Sequence, residues 1–149
     1  MNKEEYMSLA LKEANKAFKE DEVPIGCAIV LNDEVVALAH NTKIQKDDPT
    51  AHAEIECIKK ACKKLKSKYL IDAEMYVTLE PCIMCSGAII QSRIKKVYIG
   101  TKDPKGGAFG SCIDITNIKK LNHYPEVEIG VLESECSQIL KDFFKNKRK

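Results

Sequence analysis

The stretch Met75-Tyr76-Val77-Thr78-Leu79-Glu80-Pro81-Cys82-Ile83-Met84-Cys85 decides the class of fold. Its first half is a run of β-branched, aromatic and apolar residues, the composition of a strand. Pro81 then opens a helix expected to reach about Ser92, since proline loses nothing at a first turn whose N–H groups lack helical partners. Lys96-Val97-Tyr98-Ile99 resumes as a strand. A strand–helix–strand passage predicts parallel neighbours joined by a right-handed crossover.

Outward from this unit the patterns change period. Met7, Leu9-Ala10-Leu11, Ala14, Ala17 and Phe18 recur at spacings of three and four, predicting an N-terminal helix that Pro24 ends. The apolar run Ile25 to Leu31, the pair Asn32-Asp33 and the run Glu34 to Ala39 read as a hairpin around a two-residue turn. A polar loop from Asn41 to Thr50 leads to a helix from near Ala51 to about Leu65, with Asp48-Pro49-Thr50 as its capping punctuation. After Ile99 come a long glycine-rich loop, a strand near Val127 to Val131 and a helix from about Ser134 to Phe144. The expectation is an α/β fold of three layers, α/β/α, in one domain over residues 1–149. Its helices cover both faces of a central mixed five-stranded sheet, to which the hairpin adds an antiparallel strand.

Composition excludes several classes. With 44% hydrophobic residues among 149, the chain can bury a core, which sets aside disordered and fibrous readings. No apolar run is long enough to cross a membrane, and Met1-Asn2-Lys3-Glu4-Glu5 lacks the basic start and apolar stretch of a secretory signal, so a cytoplasmic protein is expected. The 7 cysteines are an odd number, which argues against a disulfide framework. Cys27, Cys57, Cys62, Cys112 and Cys136 read as small, mostly buried hydrophobes. A net charge of +2 says little, but two basic clusters stand out, Lys59 to Lys68 and Lys145-Asn146-Lys147-Arg148-Lys149. Each fits a solvated face or a source of phosphate attraction.

Two short motifs stand at predicted helix starts: His52-Ala53-Glu54 and Pro81-Cys82-Ile83-Met84-Cys85. A C-x-x-C places two sulfurs on one side of a helix about one turn apart. The positive end of the helix favours thiolate, the form that binds metal. With His52 the count of ligands is three, and zinc takes four. A fourth protein ligand, for which Cys57 and His40 are the nearest candidates, would close a structural site; water in that position would make a catalytic one. Alone, the C-x-x-C also fits a structural zinc pair or a thioredoxin-like redox pair, and His-x-Glu alone is close to noise. Together they predict a metal site in which Glu54 serves as an acid and base rather than a ligand.

The combination H-x-E followed by P-C-x-x-C is the signature of the zinc nucleobase deaminases. Within that superfamily the chain resembles the bacterial tRNA adenosine deaminases over almost its whole length. The resemblance rests on Glu22-Val23-Pro24-Ile25-Gly26, Asp48-Pro49-Thr50-Ala51-His52-Ala53-Glu54, Tyr76-Val77-Thr78-Leu79-Glu80-Pro81-Cys82, Gly107-Ala108-Phe109-Gly110-Ser111 and Asp142-Phe143-Phe144. It implies a cytidine deaminase-like fold and one zinc ion per subunit, held by His52, Cys82 and Cys85, with Glu54 as the proton shuttle. By the same resemblance Asn41 contacts adenine, Ile25 and the Ala53 backbone line the base pocket, Asp103 meets the RNA sugar, and Phe144 lies near the anticodon loop. The implied reaction is hydrolysis of adenosine to inosine at the wobble position of an arginine tRNA anticodon stem-loop, by a homodimer. Two rivals remain: a deaminase of free guanine, cytosine or a nucleoside, and a zinc-stabilised interaction module without catalysis. His123 receives no role and reads as a surface residue.

Overall fold

The computed structural model describes residues 1–147, so Arg148 and Lys149 of the basic tail lie outside it. Helix α1 (Lys3–Lys19) opens on a capping box: Asn2 Oδ1 accepts from Glu5 N, and Glu5 Oε1 accepts from Asn2 N. It ends several residues before Pro24, where Asp21 adopts a left-handed backbone. Strands β1 (Gly26–Leu31) and β2 (Glu34–His40) form the hairpin. Asn32 and Asp33 sit at φ 52° and 61°, the paired left-handed geometry whose twist suits antiparallel strands.

The polar loop holds an element that the sequence pattern did not reveal, the one-turn helix α2 (Lys43–Lys46). Helix α3 (Ala53–Leu65) starts two residues later than expected and takes His52 as its N-cap. Asp48 does not cap it; its carboxylate accepts from Thr50 within the loop. Strand β3 (Glu74–Leu79), helix α4 (Ile83–Gln91) and strand β4 (Lys96–Thr101) follow as the expected unit, and β3 and β4 pair in parallel. The last strand, β5 (Glu126–Ile129), runs parallel to β4 and stops before Val131, which packs from the following turn. Helix α5 (Glu133–Lys147) continues beyond the expected Phe144.

The sheet order is β2-β1-β3-β4-β5, with β1 antiparallel to both neighbours and the rest parallel. β1 is therefore inserted between the two strands that α3 connects, a placement no local pattern encodes. Helices α1 and α5 cover one face of the sheet, and α3 and α4 the other. Along β1, Cys27 and Ile29 face the α3 side while Ala28 and Val30 face α1. Both faces are buried, which explains why the run from Ile25 to Leu31 carries no polar alternation. Gly26 lets α1 lie directly on the sheet: a Cβ there would be driven into the Ala10 carbonyl and the Ala14 amide.

Candidate metal centre and active-site cavity

Because β1 runs against its neighbours, the start of β1 and the ends of β2 and β3 meet at one edge, with Gly26 opposite His40 and Leu79 opposite Thr101. Functional groups in open α/β sheets collect at such an edge, where loops leave the carboxyl ends of strands. His52 and Cys82 arrive there as the N-caps of α3 and α4, both with extended backbone (φ −72° and −73°). Neither side chain caps its own helix. Positions that usually hold Ser, Thr, Asp or Asn instead turn their side chains toward each other.

His52 Nδ1 stands 3.7 Å from Cys82 Sγ and 3.4 Å from Cys85 Sγ, and the ligand atoms of all three residues lie within 4.8 Å of one another. Zinc–sulfur and zinc–nitrogen bonds of ordinary length at a tetrahedral angle put N and S about 3.6 Å apart. The two observed separations bracket that value, so both donor set and spacing fit a zinc ion. A hydrogen bond from the Cys85 thiol draws Cys82 down to about 3, with His52 adding to the effect. Cys85 is pushed the other way by that shared bond and by burial. A metal cation would replace the shared proton.

Glu54 is 4% exposed, and burial pushes its carboxyl up to about 7 against the opposing pull of its own backbone N–H and His52. It interacts with Cys85 but stands outside the ligand triangle. The other candidate ligands are engaged elsewhere. His40 lies between Glu13 and Glu20 at 2.8 and 2.9 Å, and the Cys57 thiol donates to the Cys27 carbonyl inside the core. Among the described residues the metal-ligand group is therefore three-membered, which leaves the fourth position of a tetrahedral ion to a small molecule.

The model of the MafB19-like deaminase family matches residues 1–148. The chain is 47% identical to the tRNA-specific adenosine deaminase of Bacillus subtilis (strain 168) over 144 residues, 97% of this chain and 89% of that protein. It is also 47% identical to the one from Aquifex aeolicus (strain VF5) over 148 residues, 99% of this chain and 97% of that protein. This chain belongs to the tRNA-specific adenosine deaminase family. A solved structure from a study of A-to-I editing by tRNA:A34 deaminases superposes on the deaminase with a TM-score of 0.89 at 46% identity, covering 91% of this chain and 99% of that one.

In the deaminase, a cavity of about 670 Å³ opens at His52, lined also by Ile25, Asn41, Leu79, Asp103, Leu140 and Phe144. Four lysines, Lys43, Lys102, Lys105 and Lys147, stand around it. Asn41 Oδ1 accepts from Ala53 N at 3.1 Å, tying the end of β2 to the start of α3. Ala53 itself is fully buried in the core on the α3 side, so its side chain offers no pocket surface. The two adjacent phenylalanines divide their roles: Phe143 packs edge-on against Phe18, while Phe144 is 45% exposed at the cavity. His123 is half-buried, bonded to the Ile94 carbonyl. The lysines from Lys59 to Lys68 lie along or just beyond α3, and none lines the cavity.

Sequence reasoning missed Glu22 and Glu80, two carboxylates that hold the loops around this cavity. A usable signal was present, because each is a charged residue next to a buried strand and close to a proline, where an unpaired charge is rarely left without purpose.

Proposed function

We propose that this deaminase hydrolyses adenosine to inosine at the wobble position of a tRNA anticodon, with an arginine tRNA as substrate. The observation that carries the reading is the His52, Cys82 and Cys85 triangle beside buried Glu54, beneath a cavity ringed by lysines. His52, Cys82 and Cys85 would hold one zinc ion, which when bound supplies a water acidified from about 15.7 to about 7. Glu54 moves the protons. It takes one from the attacking water and places it on the purine ring nitrogen, then takes the second from the oxygen newly bonded to C6 and delivers it to the C6 amine, which leaves as ammonia as the C6 carbonyl forms. Burial keeps this carboxyl from losing its protons to bulk water. Asn41, with its oxygen committed to Ala53, presents its amide N–H groups to the base, and Ile25 packs against the ring. Asp103 meets the ribose, and Phe144 stacks near the neighbouring nucleotide.

The lysine-walled opening favours a polyanion over a free base, because phosphates on either side of a splayed nucleotide would face Lys43, Lys102, Lys105 and Lys147. No helix among the described residues is long and apolar enough to cross a membrane, and the proposed setting is the cytoplasm, where tRNA is found. The proposed assembly is a homodimer. A transcript of the arginine tRNA anticodon arm is the test substrate, with free adenosine, guanine and cytosine run in parallel. Inosine confined to the wobble position is the expected result. Ammonia released only from a free base would transfer the zinc chemistry to the small-substrate rival.

A further inference from the structure

We propose that Glu22 and Glu80 are positioning residues, each holding one wall of the cavity in register with the metal centre. The inference rests on the functional reading above. Glu22 is 1% exposed and Glu80 2%. A carboxylate taken so far out of water is tolerated only when its oxygens are fully hydrogen-bonded. Among the described residues neither forms an ion pair; backbone amides of the cavity loops bind them instead.

Glu22 holds the first wall. Its Oε2 accepts from Ile44 N and Gln45 N, each at 2.9 Å, and its Oε1 from Ile44 N at 3.1 Å. Thr42, the residue at the N-cap of α2, makes no capping bond, so a side chain 22 residues upstream of Ile44 caps the helix in its place. That helix begins at Lys43, and Asn41 and Lys43 both line the cavity. Glu80 holds the second wall. Its Oε1 accepts from Asp103 N at 3.1 Å, its Oε2 from Phe109 N at 2.9 Å and Ser111 N at 3.2 Å, and the Ser111 hydroxyl also donates to it. Gly107 packs so closely on the carboxylate that a Cβ there would collide with it. Glu80 is separated from the candidate ligand Cys82 by Pro81 alone, so this knot fixes Asp103 relative to the His52, Cys82 and Cys85 triangle.

Both tasks call for a carboxylate specifically. Ionised, it is acceptor-only and can gather three or four donors, whereas glutamine would turn an amide N–H2 toward N–H groups that need an acceptor. Glu22→Gln and Glu80→Gln in the full-length, zinc-loaded protein therefore keep shape and remove the function.

Each variant is expected to keep its zinc. Amide hydrogen exchange should accelerate at Ile44 and Gln45 in Glu22→Gln alone, and at Asp103, Phe109 and Ser111 in Glu80→Gln alone. On the anticodon arm kcat/KM should fall at least tenfold in each. The penalty of Asp103→Ala should shrink at least fivefold in the Glu80→Gln background and stay unchanged in Glu22→Gln. The inference is overturned by a kcat/KM within twofold of wild type, by an undiminished Asp103→Ala penalty in Glu80→Gln, or by both walls loosening together with loss of zinc. If Glu80→Gln does not fold, Ser111→Ala removes one donor from outside, and faster exchange at Asp103 is then the deciding result. A wild-type protein that forms no inosine would sink the functional reading alone, while the exchange pattern would still decide the anchoring.

Discussion

Glu54 shows how a single side chain acquires its chemistry from its surroundings. It follows His52 and Ala53 at the start of α3, so a two-residue offset turns it inward while His52 turns toward the cysteines. A carboxyl left in water would stay ionised near neutrality and could deliver few protons. Burial raises it to about 7, where it can give and take them. Glu54→Ala is expected to lower kcat by about 10²–10⁴-fold, the usual worth of general acid–base catalysis. Bound zinc, measured per mole of protein, should stay at the wild-type level because Glu54 is outside the ligand triangle. Retention of normal turnover would assign the proton transfers elsewhere.

At the level of elements, close contact between α1 and β1 depends on the absence of a side chain at Gly26. Gly26→Ala presses a methyl group against helix backbone that cannot move aside as a flexible side chain could. The expected loss is about 3 kcal/mol or more, read by urea denaturation as a lower midpoint. A second tie joins the same helix to β2, where Glu13 bonds His40 at 2.8 Å and Lys16 at 2.7 Å. Burial alone would raise the Glu13 carboxyl, but the bonds from His40 and Lys16 outweigh it and hold the group below the ordinary 4.5. A depressed carboxyl contributes stability that is complete above the unfolded value and lost as pH falls through the folded one. Glu13→Gln should therefore lower Tm at neutral pH and make little difference well below pH 4.5. Equal losses of Tm at both pH values would show that packing, and not charge, makes the tie.

At the scale of the molecule, the proposed zinc joins the starts of two helices whose cap positions are occupied by ligands rather than by capping side chains. A metal that binds the folded chain and not the unfolded one stabilises by mass action. Removing it with a strong chelator is expected to lower Tm and abolish inosine formation together, and added zinc should restore both. Loss of activity with an unchanged Tm would mean the triangle is held by the fold alone.

Much of this was legible without coordinates. The switch from a strand-like run to proline and helix at Leu79 to Cys82 marked the crossover unit, and the paired motifs at residues 52–54 and 81–85 marked the metal triangle. Those signals are local, carried by neighbours in sequence and by the geometry of a single turn. The helix α2 was hidden because a single turn, Lys43-Ile44-Gln45-Lys46, is too short to show a periodicity, and its cap comes from Glu22 rather than from Thr42. The Glu80 knot was hidden because its donors lie between Asp103 and Ser111, more than twenty residues away. The position of β1 between β2 and β3 was likewise open, since strand order is chosen by which apolar faces can be buried together. The chain by itself thus determined which chemistry it carries and most of its elements. Tertiary structure alone decided the walls around that chemistry, because buried carboxylates select their partners from whatever amides the folded loops bring within reach.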